Sequence, residues 1–239
     1  MGSVLQRRDN QFGDIREVQF SFDLAGEMVP GLVYLPNEHP EPMPFVLMQH
    51  PGMGSKEDYF VAEVGRSWAR RGWICGGLDA PMHGDREGAD PMALFRQPER
   101  YPELRAQFAA EVSMAIDLLS RDLNLDLTRL GFVGYSLGSM LGLPAVARDG
   151  RFKAAAFCLV GEGGLVGSVE GPGADVSKLA NVAVRIVGKL QDQLISREKT
   201  EALYDAIPGE KDIKWLAGTH FEIGPDVIRA AEEWLVAKL

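Results

Sequence analysis

Residues 130–148 read LGFVGYSLGSMLGLPAVAR. Leu130 to Tyr135 suits a short buried strand, and 137–148 has the composition of a helix that follows at once. Between them Gly134-Tyr135-Ser136-Leu137-Gly138 matches G-x-S-x-G, a strand that turns sharply into a helix and presents a serine hydroxyl at the turn. Side chains at 134 and 138 would collide in such a turn, and glycine occupies both. The turn also aims the Leu137 N–H, at the helix start, toward a developing oxyanion. A chain of this composition contains about 0.1 such matches by chance. The strand before and the helix after therefore carry the weight; without them the stretch reads as an ordinary glycine-rich turn.

Outward from this point the same rhythm fills the chain. Strands are expected at 44–49 (PFVLMQ), 73–79 (WICGGLD), 153–160 (KAAAFCLV), 182–188 (VAVRIVG) and 211–216 (KDIKWL). Helices are expected at 57–71, 102–121, 196–207 and 225–238. Short apolar strands alternating with helices imply an α/β fold, a mostly parallel sheet with helices on both faces. Ahead of it, 15–24 (IREVQFSFDL) and 28–35 (MVPGLVYL) read as an antiparallel pair, with Pro30 placing the pair at a sheet edge. The expectation is a single α/β domain over 1–239 with about eight strands. Segments 81–101 and 161–180 break the rhythm. Both follow strand C-termini, the edge at which open α/β sheets bind ligands. They read as loop insertions, a small lid at most, and neither makes a full cap domain.

Composition narrows the function classes. The chain has 239 residues, with 25 Lys and Arg against 34 Asp and Glu, a net charge of −9. An acidic chain repels phosphate backbones, so nucleic-acid binding is not expected. No apolar run approaches the ~20 residues that span a bilayer, and Met1 to Asp14 lacks the apolar core of a signal peptide. No membrane partner and a cytoplasmic location are therefore expected. Cys75 and Cys158 lie in apolar stretches and read as buried free thiols. The four histidines are scattered and no C-x-x-C spacing occurs, so no metal and no cofactor is expected. A homodimer is compatible with all of this.

A nucleophilic Ser136 needs a base, and the base needs an orienting acid. His220, in Ala217-Gly218-Thr219-His220-Phe221-Glu222, falls between the last strand and the last helix, on the same sheet edge as Ser136. Chain order Ser, acid, His points to Asp192, in the loop after 182–188. Glu162, just after 153–160, is the rival acid, and Asp175 a weaker one. The first half of an oxyanion hole is expected from His50-Pro51-Gly52-Met53-Gly54-Ser55, with Gly52 N–H favoured over Met53. His50 reads as a brace for that loop. In Asp79-Ala80-Pro81-Met82-His83-Gly84-Asp85-Arg86, His83 reads as part of a polar turn, with Asp85 and Arg86 pairing locally. Met53, Met82, Leu94 and Phe95 are the expected substrate contacts, with Met92 nearby.

The segments HPGMGSKEDY (50–59), DAPMHGDR (79–86), GYSLGS (134–139), VGKLQD (187–192) and GTHF (218–221) together resemble the α/β-hydrolase superfamily over nearly the full length. Within it the chain resembles small bacterial carboxylesterases of the dienelactone-hydrolase or prolyl-oligopeptidase-like branch. The resemblance implies Ser136 as nucleophile, Asp192 as acid, His220 as base, and Leu137 and Gly52 as oxyanion donors. It departs from dienelactone hydrolases, which are expected to carry Cys at the elbow. Pro51 also stands where many relatives have Gly. The implied reaction is hydrolysis of small carboxylic esters with short to medium acyl chains, through an acyl-enzyme. Thioesterase, C–C-bond hydrolase and acyltransferase chemistry use the same groups. A noncatalytic ligand-binding protein of this fold is the alternative from another class.

Overall fold

The computed structural model describes residues 6–39, 41–163 and 176–239. Among them run β1 (Gln6–Phe12), β2 (Ile15–Leu24), β3 (Glu27–Pro36), β4 (Met43–Gln49), α1 (Ala62–Ala69), β5 (Ile74–Leu78), α2 (Ala93–Arg96), α3 (Tyr101–Asp122), β6 (Leu125–Tyr135), α4 (Leu137–Asp149), β7 (Phe152–Cys158), β8 (Ala183–Lys189), α5 (Arg197–Ala206), β9 (Lys211–Leu216) and α6 (Pro225–Lys238). The strands form one sheet in the order β1-β2-β3-β5-β4-β6-β7-β8-β9. From β5 through β9 the neighbours are parallel, and β1, β2 and β3 are antiparallel to theirs.

Among the described residues the sheet has nine strands, one more than the sequence reading placed. The added one, β1, reads QRRDNQF and is exposed along nearly its whole length. A strand with no apolar face leaves no alternation to read. It is held by its ladder to β2, from Gln6 opposite Ser21 to Phe12 opposite Ile15. Pro30 is also corrected: β3 is not an edge strand, since it pairs with β2 on one side and β5 on the other. Its ladder with β5 begins at Gly31, and the Pro30 carbonyl accepts from Asp79 N just beyond the end of β5. The missing N–H therefore falls outside the ladder, where it costs no sheet hydrogen bond.

The apolar strands bury both faces. One core packs Phe45, Phe132 and Phe157 under α3 and α4, through Phe108, Val112, Ile116 and Leu141. The other packs Val46, Val133 and Tyr135 under α1 and α6, through Trp68, Val227 and Leu235. Strands β4 and β6 are neighbours, yet the helix after β4 covers one face and the helix after β6 the other. Their connections separate at the C-terminal edge and open a crevice, the switch point where such sheets bind ligands.

The insertion at 81–101 holds α2 and a single 3-10 turn, Pro98–Arg100, before α3 begins. Of the insertion at 161–180, residues 164–175 lie outside the described residues, Asp175 with them. No separate cap stands over the sheet edge among the described residues. Cys75 and Cys158 are buried and free, as expected. No helix among the described residues is long and apolar enough to cross a membrane.

Candidate active site

The crevice is built from the ends of β4, β5, β6, β8 and β9. At the end of β6 the chain reverses through Ser136, whose φ of 50° and ψ of −110° put a non-glycine residue in a strained region. The strain is held from several sides. Ser136 N donates to Cys158 O at 2.8 Å, and the Ser139 hydroxyl lies within hydrogen-bond reach of both Gly134 O (2.7 Å) and Cys158 O (2.9 Å), its one proton shared between them. The two glycines are needed for close backbone approach. A Cβ at 134 would sit 2.6 Å from the Gly138 carbonyl carbon, and one at 138 would sit 2.4 Å from Gln49 O. Position 138 is therefore closed by the end of β4, a strand distant in sequence.

The structure brings the three dispersed side chains together in series. Ser136 Oγ lies 2.8 Å from His220 Nε2, and His220 Nδ1 lies 2.8 Å from Asp192 Oδ2. Asp192 Oδ1 accepts from Leu194 N (2.8 Å) and Ile195 N (2.7 Å), which fixes the carboxylate. Burial pushes the Asp192 carboxyl up, but the hydrogen bonds from His220 and the two amides outweigh it and hold it below the usual carboxylate range. Since Asp192 accepts at Nδ1, the neutral ring carries its proton there and leaves Nε2 to accept from the serine.

Residues beside Asp192 lace its loop to the His220 loop. Gln191 Oε1 accepts from Gly218 N at 2.7 Å, and Gln193 Oε1 accepts from His220 N at 3.2 Å. The buried Lys189 ammonium donates to Ala217 O (2.9 Å) and pairs with Asp226 at the start of α6 (2.8 Å). Sequence reasoning passed over Gln191, Gln193 and Lys189, and their position flanking Asp192 was the available signal. Glu162 is exposed, and its backbone N–H is bonded to Lys199 O on α5.

The loop after β4 folds over the start of α4. Gly54 N donates to Pro51 O at 3.2 Å, Met53 has φ 67°, and the Cβ position of Gly52 is 3.8 Å from Leu137 Cβ. Gly52, Met53, Ser136, Leu137 and His220 line a cavity of about 290 Å³. Leu94, one of the expected substrate contacts, lies on its wall. Phe60, Tyr101, Leu194 and Phe221 were not anticipated there. Met82 is a correction: it does not line the cavity, but packs half-buried against the core, with its Sδ 3.8 Å from Arg100 Nη1. Its neighbour His83 takes the place on the wall. Met92 is exposed ahead of α2 and does not line the cavity either. Phe95 belongs to α2, and its side chain lies outside the described residues.

A buried polar network holds the two loops over the sheet. His50 Nδ1 donates to Pro51 O (2.8 Å), and its Nε2 accepts from Ala80 N (3.0 Å), bracing the loop as expected. Burial, opposed by the bond to Pro51, lowers the His50 pKa to about 4. Asp79 accepts from Lys56 N (2.8 Å), Lys56 Nζ (3.0 Å) and Asp85 N (2.9 Å). The expected Asp85–Arg86 pair is not formed. Asp85 pairs with Lys56 at 2.6 Å, and buried Arg86 makes a two-pronged pair with Glu111 of α3 at 2.8 and 2.6 Å. A buried guanidinium needs a buried partner, and Glu111 supplies it. No group of three or more metal-ligating side chains occurs among the described residues.

An α/β sheet with a serine, a histidine and a carboxylate in series at its switch point defines a hydrolase-type architecture. Neither a protein-family model nor a curated protein sequence matches the chain. Solved structures do. A polyethylene-glycol-bound cold-adapted esterase from an Arctic intertidal metagenomic library is 27% identical with a TM-score of 0.80, covering 97% of each chain. An acetyl xylan esterase from Paenibacillus sp. R4 has a TM-score of 0.78 at 17% identity, covering 98% of this chain and 89% of its own. The α/β hydrolase GrgF from Penicillium sp. sh18 has a TM-score of 0.73 at 12% identity, covering 94% and 98%. The last two share the fold alone. The chain has the α/β-hydrolase fold and is a hydrolase of the carboxylesterase type.

Proposed function

We propose that the chain is a serine carboxylesterase acting on short to medium acyl chains through a covalent acyl-enzyme. What carries this reading is the unbroken relay from Ser136 Oγ to His220 to Asp192, with both contacts at 2.8 Å. Ser136 Oγ attacks the ester carbonyl as His220 Nε2 takes its proton. Asp192, ionised at neutral pH, holds the ring orientation and stabilises the imidazolium. The Leu137 N–H, at the first position of α4, and the Gly52 N–H are the donors to the tetrahedral oxyanion. His220 returns its proton to the alcohol oxygen as the C–O bond breaks. Water, deprotonated by His220, then attacks the acyl-serine and releases the acid and Ser136.

The acyl preference rests on the size and lining of the cavity. An apolar wall rewards each buried methylene by about 0.8 kcal/mol, roughly fourfold, until the space is filled. A cavity of about 290 Å³, which also holds the reacting carboxyl group, is filled by an acyl chain well short of palmitate. The test is one series of p-nitrophenyl esters from acetate to palmitate, with a fluorophosphonate probe alongside. The expected result is a peak in kcat/KM at intermediate length, with probe labelling that Ser136→Ala abolishes. A folded wild type that neither labels nor turns over points instead to a ligand-binding protein, and a peak at palmitate overturns the chain-length reading.

A further inference from the structure

His83 stands outside the relay, and its chemistry is unused by the reaction just described. It is fully buried, yet it forms part of the wall of the cavity that Ser136 and His220 also line. Its Nδ1 lies 2.9 Å from Pro81 O. A carbonyl can only accept, so Nδ1 carries the ring proton and Nε2 presents a lone pair. Nε2 is buried and has no hydrogen-bond partner among the described residues.

The ring is fixed rather than adaptable. Its own N–H closes a turn onto Ala80 O at 3.0 Å, and its carbonyl accepts from Arg86 N. The His50 ring packs against it at 5.4 Å. The neighbouring loop is pinned through Asp79, Lys56 and Arg86. Most of the remaining wall is apolar, from side chains such as Phe60, Leu94 and Leu194. A rigid acceptor with no protein partner, on a wall residue of a cavity whose lining is mostly apolar, is the arrangement that selects a ligand hydroxyl.

We infer that His83 Nε2 is a specificity-determining acceptor, and that the preferred ester carries a hydroxyl on the part lodged in the cavity. The inference rests on the esterase reading for its substrate class. Its logic is differential. In an apolar cavity without an acceptor, replacing a methyl by a hydroxyl costs binding, because the hydroxyl loses its water. With Nε2 in place the sign reverses, and an analogue lacking the hydroxyl leaves the acceptor unpaired.

The test compares isosteric pairs. Methyl 3-hydroxybutanoate is set against methyl 3-methylbutanoate for the acyl side, and 2-hydroxyethyl butanoate against propyl butanoate for the alcohol side. Acid release is followed for wild type, His83→Leu and His83→Gln, with circular dichroism reporting on the fold. Wild type is expected to favour the hydroxyl by roughly tenfold or more in kcat/KM in one pair, which also tells the side that occupies the cavity. His83→Leu brings that ratio to one or below. His83→Gln, which places an amide near the Nε2 position, retains several-fold. Indifference to both pairs in wild type, or an unchanged ratio in a folded His83→Leu, overturns the inference. If wild type hydrolyses none of the four esters, the esterase reading falls separately, and calorimetry on the Ser136→Ala protein decides. Tighter binding of a hydroxylated ester that His83→Leu removes upholds the inference, and equal binding of both members of each pair overturns it.

Discussion

At the level of single residues, the contacts of Asp192 make a sharp prediction. Its Oδ1 takes two backbone amides and its Oδ2 takes His220 Nδ1. In Asp192→Asn the amide NH₂ cannot accept, so the remaining oxygen must stay with Leu194 N and Ile195 N. The NH₂ then faces His220 Nδ1 and forces the ring proton onto Nε2. A protonated Nε2 cannot take the proton of Ser136. The proposed reaction should therefore lose on the order of 10³–10⁴ in kcat while the fold is kept, a loss readable from initial rates on p-nitrophenyl butyrate. A variant within tenfold of wild type would mean that Asp192 does not set the tautomer. Ser136, Asp192 and His220 were legible in sequence because each follows a strand at the same sheet edge. His83 was not, because its function depends on which ring nitrogen the fold occupies. Sequence shows a histidine in a turn; only coordinates show Nδ1 spent on Pro81 O and Nε2 unspent.

Between elements, the junction of β4, β6 and α4 sets the geometry of the elbow. Gly138 faces the backbone at the end of β4, with Gln49 O 2.4 Å and His50 O 2.8 Å from where a Cβ would lie. Both obstacles are main chain, so no rotamer change relieves them. Gly138→Ala is expected to push α4 from β4, with a stability loss of roughly 1–3 kcal/mol. Activity should fall further than stability does, because the Leu137 N–H and the Gly52 turn separate. Thermal unfolding together with kcat/KM on a short ester checks this, and wild-type values for both would show that the junction tolerates the methyl. G-x-S-x-G was readable because this crowding leaves a local trace in composition. The five expected helices were read to within a few residues, except that α1 begins at Ala62 rather than near 57, after a turn in which Val61 N and Ala62 N both bond Asp58 O, while the four-residue α2 fell inside a stretch read as a loop insertion. Strand β1 left no such trace. Its sequence is polar on both faces, and backbone pairing with β2, which any sequence can supply, makes it a strand.

For the molecule as a whole, acid stability sets two electrostatic effects against each other. The chain carries −9 at neutral pH and passes through its isoelectric point near 5.0. If self-repulsion governed, stability would rise as pH falls from 7 toward 5. Buried His50 acts in the opposite direction. Folded, it stays neutral down to about pH 4, whereas in the unfolded chain it titrates near its ordinary value of 6.5. Above pH 6.5 neither state binds that proton and the term is constant. Between 6.5 and 4 the unfolded chain binds it and the folded chain does not, so stability falls with pH, by roughly 3 kcal/mol before the loss saturates. Burial lowers His83 as well and adds loss of the same sign below 6.5. Carboxylates held low, such as Asp192, enter only below about pH 4, so the histidine window stands apart from theirs. His50 ties the loop after β4 to Ala80 beyond β5, two central strands of the sheet. Protonating it therefore requires opening the core of the molecule rather than fraying an edge. Urea unfolding at pH 7.0, 5.5 and 4.5 should show the midpoint falling with pH, and His50→Gln should show a shallower fall over the same range whatever its stability at pH 7. A midpoint that rises toward pH 5 in the wild type would hand the balance to surface charge.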